Sequence, residues 1–376
     1  MKKKLVSIVL NSFVNDNRVL KEAISLNKVG FDVTVSALEL NGESLEEKHD
    51  DFKVRRIRIG ARALPRGKFF GAVKYAELVL KTIWRYRKYQ IWHCNDFEPL
   101  VIASLLKFFK RNLVIIYDAH EYAREKNGLG SFEKRFVAFM EPKLIGYCNE
   151  VITVSQGIAE EYQRLYDLPE VHVVFNAPHK REKVIKVDRF RERFGIGAHK
   201  VIFLYQGKFH AGRGMELLVE SFKLLQDTHA ELVFMGNGNL QEYVEQAAQE
   251  HDNIHLHPAV PYEEIVEHTA SADFGLLTVE NVCLSYYYCM PNKMFEYIQA
   301  GIPIITTNLY DCRIMVEEED LGVVIPEFTP ESFAETFRKV LEADKSEYIR
   351  AIEHTAQHFH WDNEEKKLIS LYNKYL

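Results

Sequence analysis

"YYYCMPNKMFEYIQAGIPII", residues Tyr286 to Ile305, contains a predicted helix followed directly by a predicted buried strand. Pro291 suits the first turn of a helix, because the amide hydrogen that proline lacks has no partner there. Gly301 is well placed to end this helix, and Pro303 follows it. The apolar run Ile302–Thr306 is short and continuous, as is typical of a strand in a buried parallel sheet. The stretch predicts one helix–strand unit of an α/β protein.

The same alternation of short apolar strands and amphipathic helices runs through most of the 376 residues. It is interrupted once, by the charged stretch "NAPHKREKVIKVDRFRERFGIGAHK", which reads as a linker with a short helix. We therefore predict two doubly wound, Rossmann-like domains in tandem, which would bind ligands beyond the carboxyl ends of their strands, in the cleft between them. The predicted N-terminal domain is 1–178, the linker 179–198 and the C-terminal domain 199–360, with a helix at 361–376 packing back on the first domain.

Composition restricts the class of protein. The chain is 47% apolar and 27% charged, which is ordinary for a soluble globular protein. Its five cysteines form no CxxC pair and are odd in number, which argues against a disulfide framework or a zinc site and favours a reducing compartment. The apolar run Leu5–Leu10 is too short for a signal peptide, and no run of about 18 apolar residues occurs. We predict a cytoplasmic protein without a membrane span.

Two motifs in the second half combine positive charge with glycine or a helix start. In "YQGKFHAGRGMELLVESF", glycines let the backbone approach a ligand, and Lys208 and Arg213 supply charge, although the loop lacks the P-loop pattern. In the opening stretch, free amides at the helix start can join Lys293 in meeting phosphates. Glu296, one turn further in, could accept two hydrogen bonds from ribose hydroxyls. Each motif alone is also compatible with ordinary solvated side chains.

Taken together, these residues resemble a known family. From residue 201 to 325 the chain is similar to the C-terminal domain of family 4 glycosyltransferases of the bacterial surface-glycan type, which have the GT-B fold. The matching blocks are "YQGKFHAGRG", "ELVFMGNGN", "ADFGLLTVE" and "MPNKMFEYIQAGIPII". The first half resembles the same family through "NDNRVLKEAISLNKVGFDVTV", "IWHCNDFEPL", "IIYDAHEY" and "VITVSQGI".

The resemblance implies retaining transfer of a hexose from a UDP- or GDP-sugar, without a metal and without any further cofactor. By position, Lys208 and Arg213 match the family's basic pair on the donor diphosphate, and Glu296 matches the glutamate that binds the ribose. The family's other signature glutamate falls on Tyr288, so that signature is broken here. The implied donor site comprises Gly207, Tyr288, Asn292, Lys293 and Glu296, together with the catalytic pair Lys208 and Arg213.

The first half supplies the implied acceptor side. Many family members carry HxH after the fourth strand, and this chain has His93-Cys94-Asn95-Asp96 instead. His120 and Glu121 come from the "YDAHEY" block. We expect His120 or Asp96 to orient the acceptor hydroxyl, with Asn95 and Glu121 binding the acceptor. A structural histidine is the alternative for His120.

Three functions follow from these observations. The first is glycosyl transfer to a glycan or lipid-linked acceptor in surface polysaccharide biosynthesis. No DxD pair and no carboxylate suited to double displacement stands out, so front-side attack is favoured. The alternatives are a nucleotide-sugar epimerase of GT-B fold and a non-catalytic GT-B partner subunit.

A basic block lies between Lys53 and Lys88, with twelve Lys or Arg and the single acid Glu77, interleaved with aromatic residues. It is either a core-packed helix with a solvated basic face or a surface that meets anionic lipid. Because the family often elongates lipid-linked glycans, we favour peripheral association with the inner face of the cell membrane. No recognised motif supports nucleic-acid binding.

Overall fold

The computed structural model describes residues 2–49, 51–65, 67–181, 184, 187–225 and 228–376. The chain divides into two compact units: the first comprises Met1–Val174 and Glu365–Leu376, and the second comprises Phe175–Glu364. The predicted boundary at 178 lies four residues beyond the first stretch of the first unit. The predicted linker, 179–198, falls within the second unit, and its residues 182, 183, 185 and 186 lie outside the described residues.

The described part of the first unit is built on an eight-stranded sheet with the order β3-β4-β2-β1-β5-β6-β7-β8. All neighbouring strands are parallel except β3 and β4, which are antiparallel. The short edge strand β3 was not predicted, because three charged residues, "EEK", carry no apolar pattern. The strands are β1 (Lys4–Ile8), β2 (Asp32–Leu38), β3 (Glu46–Lys48), β4 (Lys53–Ile57), β5 (Ile91–Asn95), β6 (Val114–Ala119), β7 (Glu150–Thr153) and β8 (His172–Val173).

The face of the sheet on which each helix of the first unit lies follows from the right-handed crossovers between parallel strands. The chain moves in one direction across the sheet from β1 to β2 and in the opposite direction from β4 through β8, so α1 covers one face and α2 to α5 cover the other. Neighbouring helices α2, α3 and α4 pack side by side. The helices are α1 (Asn17–Lys28), α2 (Lys68–Tyr86), α3 (Phe97–Phe109), α4 (Ser131–Ile145) and α5 (Gln156–Tyr166).

The second unit is a wholly parallel sheet of six described strands in the order β11-β10-β9-β12-β13-β14. Two apolar clusters, one on each face, are built from the continuous apolar runs that predicted these strands. The strands are β9 (Val201–Phe209), β10 (Ala230–Gly238), β11 (Ile254–Pro258), β12 (Phe274–Leu277), β13 (Ile304–Thr307) and β14 (Gly322–Ile325). The helices are α6 (Arg189–Phe194), α7 (Met215–Lys223), α8 (Gln241–Glu250), α9 (Ile265–Thr269), α10 (Leu284–Tyr287), α11 (Asn292–Ala300), α12 (Tyr310–Glu318), α13 (Pro330–Glu342) and α14 (Ser346–Thr355).

The last helix, α15 (Trp361–Asn373), is shared by the two units: its first four residues belong to the second and the rest to the first. Within the first unit the ring of Tyr372 packs edge-on against Phe31, with 5.7 Å between centroids. Within the second unit the carboxylate of Glu364 accepts a hydrogen bond of 2.9 Å from the amide of Phe175, so the first and last residues of that unit are adjacent.

The opening stretch has the predicted form. Pro291 precedes α11, and Gly301 ends it in the left-handed conformation with a φ of 73°. The hydroxyl of Tyr297 is shared between the carbonyls of Leu204 and Leu276, which fixes α11 against β9 and β12. Helix α11 therefore begins at the carboxyl end of the sheet.

In the described part of the chain, no helix is long and apolar enough to span a bilayer.

Candidate functional site

Strand β9 extends further than predicted. It pairs with β10 as far as Phe209, so Gly207 and Lys208 lie inside a strand and not in a loop after it. The longer pairing depends on glycines, because a Cβ on Gly236 would lie 1.8 Å from the carbonyl oxygen of Gly207. The apolar pattern could not show this extension, which consists of glycine and polar residues. Lys208 is exposed at the end of the strand.

The turn after β9 brings Arg213 to the start of α7. Gly214 follows with a φ of +75°, and a Cβ there would lie 2.2 Å from the carbonyl oxygen of Thr278. The Thr278 hydroxyl donates to the carbonyl of Arg213 at 2.9 Å, so the turn is fixed to the end of β12. The guanidinium carbon of Arg213 lies 4.6 Å from the ring centroid of Tyr286. The side chain is thus held on an aromatic face, which favours a cation.

Lys293 is the most unusual side chain of the second unit. Its Nζ is buried without a hydrogen-bond acceptor and lies 3.9 Å from the ring centroid of Tyr205. A Cβ on Gly207 would lie 4.0 Å from its Cε, which places Lys293 beside the end of β9. Burial, and then the nearby charge of Arg213, lower the pKa of Lys293 to about 7. Arg213 and Lys293 therefore lie close enough for their charges to interact at the start of α11, and a bound anion would relieve that repulsion.

Glu296 is buried one turn further along α11 and is held by a polar chain. The Nε2 of Gln206 donates to a carboxylate oxygen of Glu296, and the Oε1 of Gln206 accepts from Thr269 at 2.6 Å. This relay fixes the position of the carboxylate. We did not predict Gln206 or Thr269. Gln206 directly precedes the glycine of the "YQGKF" motif, and that position was the available signal.

The remaining predicted donor-site residues lie near the helix start. Asn292 is the first residue of α11 and is exposed. Tyr288 lies just after α10, where its ring contacts those of Tyr287 and Tyr310 at 5.0 and 5.5 Å between centroids. Tyr288 therefore belongs to an aromatic cluster, and it brings no carboxylate to the site.

In the first unit, the predicted acceptor residues His120 and Asp96 adjoin a buried ionic cluster. The guanidinium of Arg18 donates to both oxygens of Asp118 at 2.9 Å, and Asp118 lies 3.2 Å from the Nε2 of His120. Burial opposes charge on His120, but Asp118 and then Asp96 raise its pKa to about 9. His120 is therefore an imidazolium at neutral pH, with about a fifth of its side chain exposed. In this form it can donate a hydrogen bond to a ligand.

Asp96 has a φ of +70°, which is rare for a residue with a side chain. Its backbone amide donates to the carbonyl of Asp118 at 2.8 Å, and its carboxylate accepts from the amide of His120 at 3.2 Å. The conformation is therefore fixed by β6, beside the imidazolium. Strained backbone of this kind is concentrated at functional sites.

Asn95 and Glu121, which we predicted to bind the acceptor, both have partners within the first unit. Asn95 is buried, and its amide nitrogen donates to the hydroxyl of Ser7 and the carbonyl of Ile8. It connects β5 to β1 and leaves only its carbonyl oxygen without a partner. Glu121 lies 3.2 Å from Lys126 in a half-exposed ion pair. Their contact with an acceptor stays a prediction.

The buried cluster also contains residues that sequence reasoning missed. Glu22 approaches Arg18 to 3.1 Å, and burial raises the pKa of Glu22 to about 7. His93 lies 3.4 Å from Glu22 and pairs through its Nδ1 with the hydroxyl of Tyr372. The ligand atoms of Glu22, His93 and Asp118 lie within 4.8 Å of one another, a spacing that could hold a metal ion. The guanidinium of Arg18 already supplies positive charge to both carboxylates, so the group fits an ionic cluster better than a metal site.

The comparisons with known proteins match both halves of the chain. The family described as Glycosyltransferase Family 4 matches residues 17–177, and the family described as Glycosyl transferases group 1 matches residues 200–343. The chain belongs to the family 4 and group 1 glycosyltransferases. An uncharacterized glycosyltransferase of Methanocaldococcus jannaschii is 25% identical over 301 residues, which are 76% of this chain and 75% of that protein.

Solved structures confirm the predicted GT-B fold of this glycosyltransferase. Sucrose-phosphate synthase from Thermosynechococcus elongatus superimposes with a TM-score of 0.80 at 17% identity, covering 100% of this chain and 99% of that one. Anabaena HepE in complex with UDP-glucose gives a TM-score of 0.75 at 15% identity, with 99% of each chain covered.

The structure brings the predicted site residues together in two groups. Seven of them belong to the second unit: Gly207, Lys208, Arg213, Tyr288, Asn292, Lys293 and Glu296. Four belong to the first unit: Asn95, Asp96, His120 and Glu121. Within the second unit, the strand end and the start of α11 meet at Lys293, which makes this the better defined half of the candidate site.

Proposed function

We propose that this glycosyltransferase moves a hexose from a UDP- or GDP-sugar to a glycan or lipid-linked acceptor in surface polysaccharide biosynthesis. The observation that carries the proposal is the buried, unpaired ammonium of Lys293 beside Arg213 at the start of α11. An uncompensated buried cation is costly, and a diphosphate would remove that cost. HepE, a structural neighbour, binds UDP-glucose.

The donor site divides into parts with different tasks. Lys208, Arg213 and Lys293 would bind the diphosphate, and Glu296 would accept hydrogen bonds from the ribose. As the glycosidic bond breaks, negative charge builds on the leaving oxygen, and preorganised cations stabilise that charge. These three cations could supply the stabilisation without a metal ion. We further propose that the acceptor attacks from the front side, with retention.

The first unit would bind the acceptor. The imidazolium of His120 can donate to an acceptor oxygen, and Asp96 lies beside it to orient a hydroxyl. The diphosphate would then receive the hydroxyl proton, because His120 already carries its own. A lipid-linked acceptor would place the protein in the cytoplasm at the inner face of the membrane.

The test is to incubate the pure protein with a panel of UDP-, GDP- and ADP-sugars and a mixed glycan acceptor. We expect release of one nucleoside diphosphate, formation of a product with the donor's anomeric configuration, and no inhibition by EDTA. An epimerised donor would support the epimerase instead. Transfer that EDTA abolishes and Mg²⁺ restores would contradict the metal-free mechanism, and inverted product would contradict retention.

A further inference from the structure

The outer surface of helices α2, α3 and α4 is unusually apolar. Each helix exposes large apolar side chains at spacings of one, three, four or seven residues, which keeps them on one side of the helix. Phe109 is 85% exposed, and Trp84 is 70% exposed. We call this set the apolar layer: Phe69, Val73, Leu80 and Trp84 of α2, Leu105, Phe108 and Phe109 of α3, and Phe132, Phe136 and Phe139 of α4.

The three helices present this layer on one face of the unit. They lie on the same side of the sheet and pack against their neighbours, with Phe97 of α3 meeting Phe136 of α4 at 6.4 Å between centroids. The ends of α2 and α3 are also joined, because the Nζ of Lys110 donates to the carbonyls of Arg87 and Tyr89. Ten exposed apolar side chains on one face exceed what scattered surface residues would give, and such patches mark interaction sites.

The layer is surrounded by positive charge. Within residues 69–88, 97–111 and 131–145, seven cations are exposed and only two carboxylates are, Glu98 and Glu133. Lys143 lies over the ring of Phe139 at 3.4 Å, and Arg87 lies over the ring of Trp84 at 5.2 Å. Long cationic side chains beside exposed aromatic rings are typical of surfaces that meet a membrane interface. The exposed cations are Lys81, Arg85, Arg87, Lys88, Arg111, Arg135 and Lys143.

We infer that the apolar layer docks on an anionic lipid surface, with the rings of Trp84, Phe108 and Phe109 entering the interfacial region. A second copy of this chain fits less well, because a symmetric contact would bring two basic surfaces together. The inference extends the basic block at 53–88 to α3 and α4, whose aromatic residues belong to no motif that we recognised. The docking inference itself does not depend on the proposed function. Only the reason for docking, access to a lipid-linked acceptor, rests on that proposal.

The fluorescence of Trp84 gives a direct test. The chain has three tryptophans, and the other two, Trp92 and Trp361, are buried. Vesicles of phosphatidylcholine and phosphatidylglycerol in equal parts should shift the emission to shorter wavelengths, and lipids brominated on their acyl chains should quench it. Trp84→Phe should abolish the shift. Vesicles of phosphatidylcholine alone should give a much weaker response, since the electrostatic attraction is missing.

Variants separate the apolar contribution to vesicle binding from the electrostatic one. Phe108→Ser with Phe109→Ser should lower vesicle affinity by about tenfold or more at every salt concentration, because the apolar contribution is lost. Arg85, Arg87 and Lys88 changed to Glu should abolish only the binding that salt screens. Leu224→Ser, an exposed apolar residue of the second unit, is the matched control and should bind as the wild type does.

Calorimetry with UDP and GDP keeps this inference apart from the proposed function. The layer variants should retain nucleotide affinity, since they lie in the other unit from the donor residues. Intact nucleotide binding with no vesicle response from the wild type would overturn the docking surface alone. A concentration-dependent dimer that Phe108→Ser and Phe109→Ser dissolve, without vesicle binding, would overturn it in favour of a second copy.

Discussion

At the scale of single residues, Lys293 provides the sharpest test of the donor site. In the free protein the pKa of Lys293 is lowered to about 7, and a bound diphosphate favours the ammonium form and raises it again. Nucleoside diphosphate affinity should therefore fall as the pH rises through 7, by up to about tenfold per unit. Calorimetry in buffers of different ionisation enthalpy should show proton uptake on binding.

Two substitutions control for this effect. Lys293→Met should weaken binding by about 1.5–3 kcal/mol, the value of a hydrogen bond to a charged group. Lys293→Arg keeps a charge that does not titrate, so it should bind without proton uptake. Measurements above about pH 7.5 avoid the ionisation of the terminal phosphate itself. A wild type that takes up no proton there would show that Lys293 does not meet the diphosphate.

The catalytic pair should behave differently from a simple binding group. Lys208→Ala or Arg213→Ala should reduce kcat by about 10²–10³, because their contact with the leaving diphosphate strengthens in the transition state. Arg213→Lys should recover only part of the rate, since a point charge cannot replace a planar guanidinium. Steady-state kinetics, which give kcat and KM separately, are the measurement. A raised KM at unchanged kcat would assign these residues to ground-state binding alone.

The roles of Glu296 and of its hydrogen-bond donor Gln206 in ribose binding can be tested by comparing ligands with and without a ribose. Glu296→Gln should weaken UDP or GDP binding by about 1.5–3 kcal/mol, through lost charge-assisted hydrogen bonds to the ribose. Gln206→Ala should weaken it in the same direction, because the carboxylate loses its donor. Inorganic pyrophosphate, which has no ribose, is the control ligand, and its affinity should fall less than that of UDP or GDP, because Glu296 acts on it only through the charge of Lys293. Equal losses for both ligands would point to a general disturbance of α11.

At the scale of elements, the turn between β9 and α7 should tolerate little change. Gly214→Ala introduces a Cβ 2.2 Å from the carbonyl oxygen of Thr278 in a left-handed conformation, and we expect a loss of about 1–3 kcal/mol in unfolding free energy. Gly301 has nearly the same φ, and no atom lies within 4 Å of its missing Cβ, so Gly301→Ala measures the conformational cost alone. Urea denaturation of both variants should show the larger loss at Gly214.

The sequence allowed most of the elements to be predicted, because buried parallel strands are continuous apolar runs and helices are amphipathic. Helix α11 was predicted from Pro291 and Gly301, and its bounds agree with the structure. The strand at Gly207 and Lys208 was missed, since its pairing depends on glycines opposite one another and not on apolar side chains. The cluster of Arg18, Glu22 and Asp118 was missed because its central contact joins Arg18 to Asp118, a hundred positions further along the chain.

At the scale of the whole molecule, the C-terminal residues complete the first unit. The hydroxyl of Tyr372 pairs with the buried His93, so Tyr372→Phe should cost about 1–3 kcal/mol by leaving that nitrogen without a partner. Tyr375 bonds to Glu150, which also pairs with Lys374 and His172, so Tyr375→Phe should cost less. Hydrogen exchange along β5 should report the difference. Equal protection in both variants would mean that the buried pair is not structurally important.

The hydrogen bond between Phe175 and Glu364 has a consequence for how such proteins change over time. Because the second unit starts and stops at neighbouring points, it is an insertion into the first, and both of its junctions coincide in space. Exchange of the coding segment for residues 175–364, through one crossover at each junction, would therefore replace the second unit as a whole, with the second junction falling after the fourth residue of α15. Such an exchange would replace the proposed donor residues and keep the proposed acceptor residues, so a chimaera joined at these two points would test whether the two preferences can be separated.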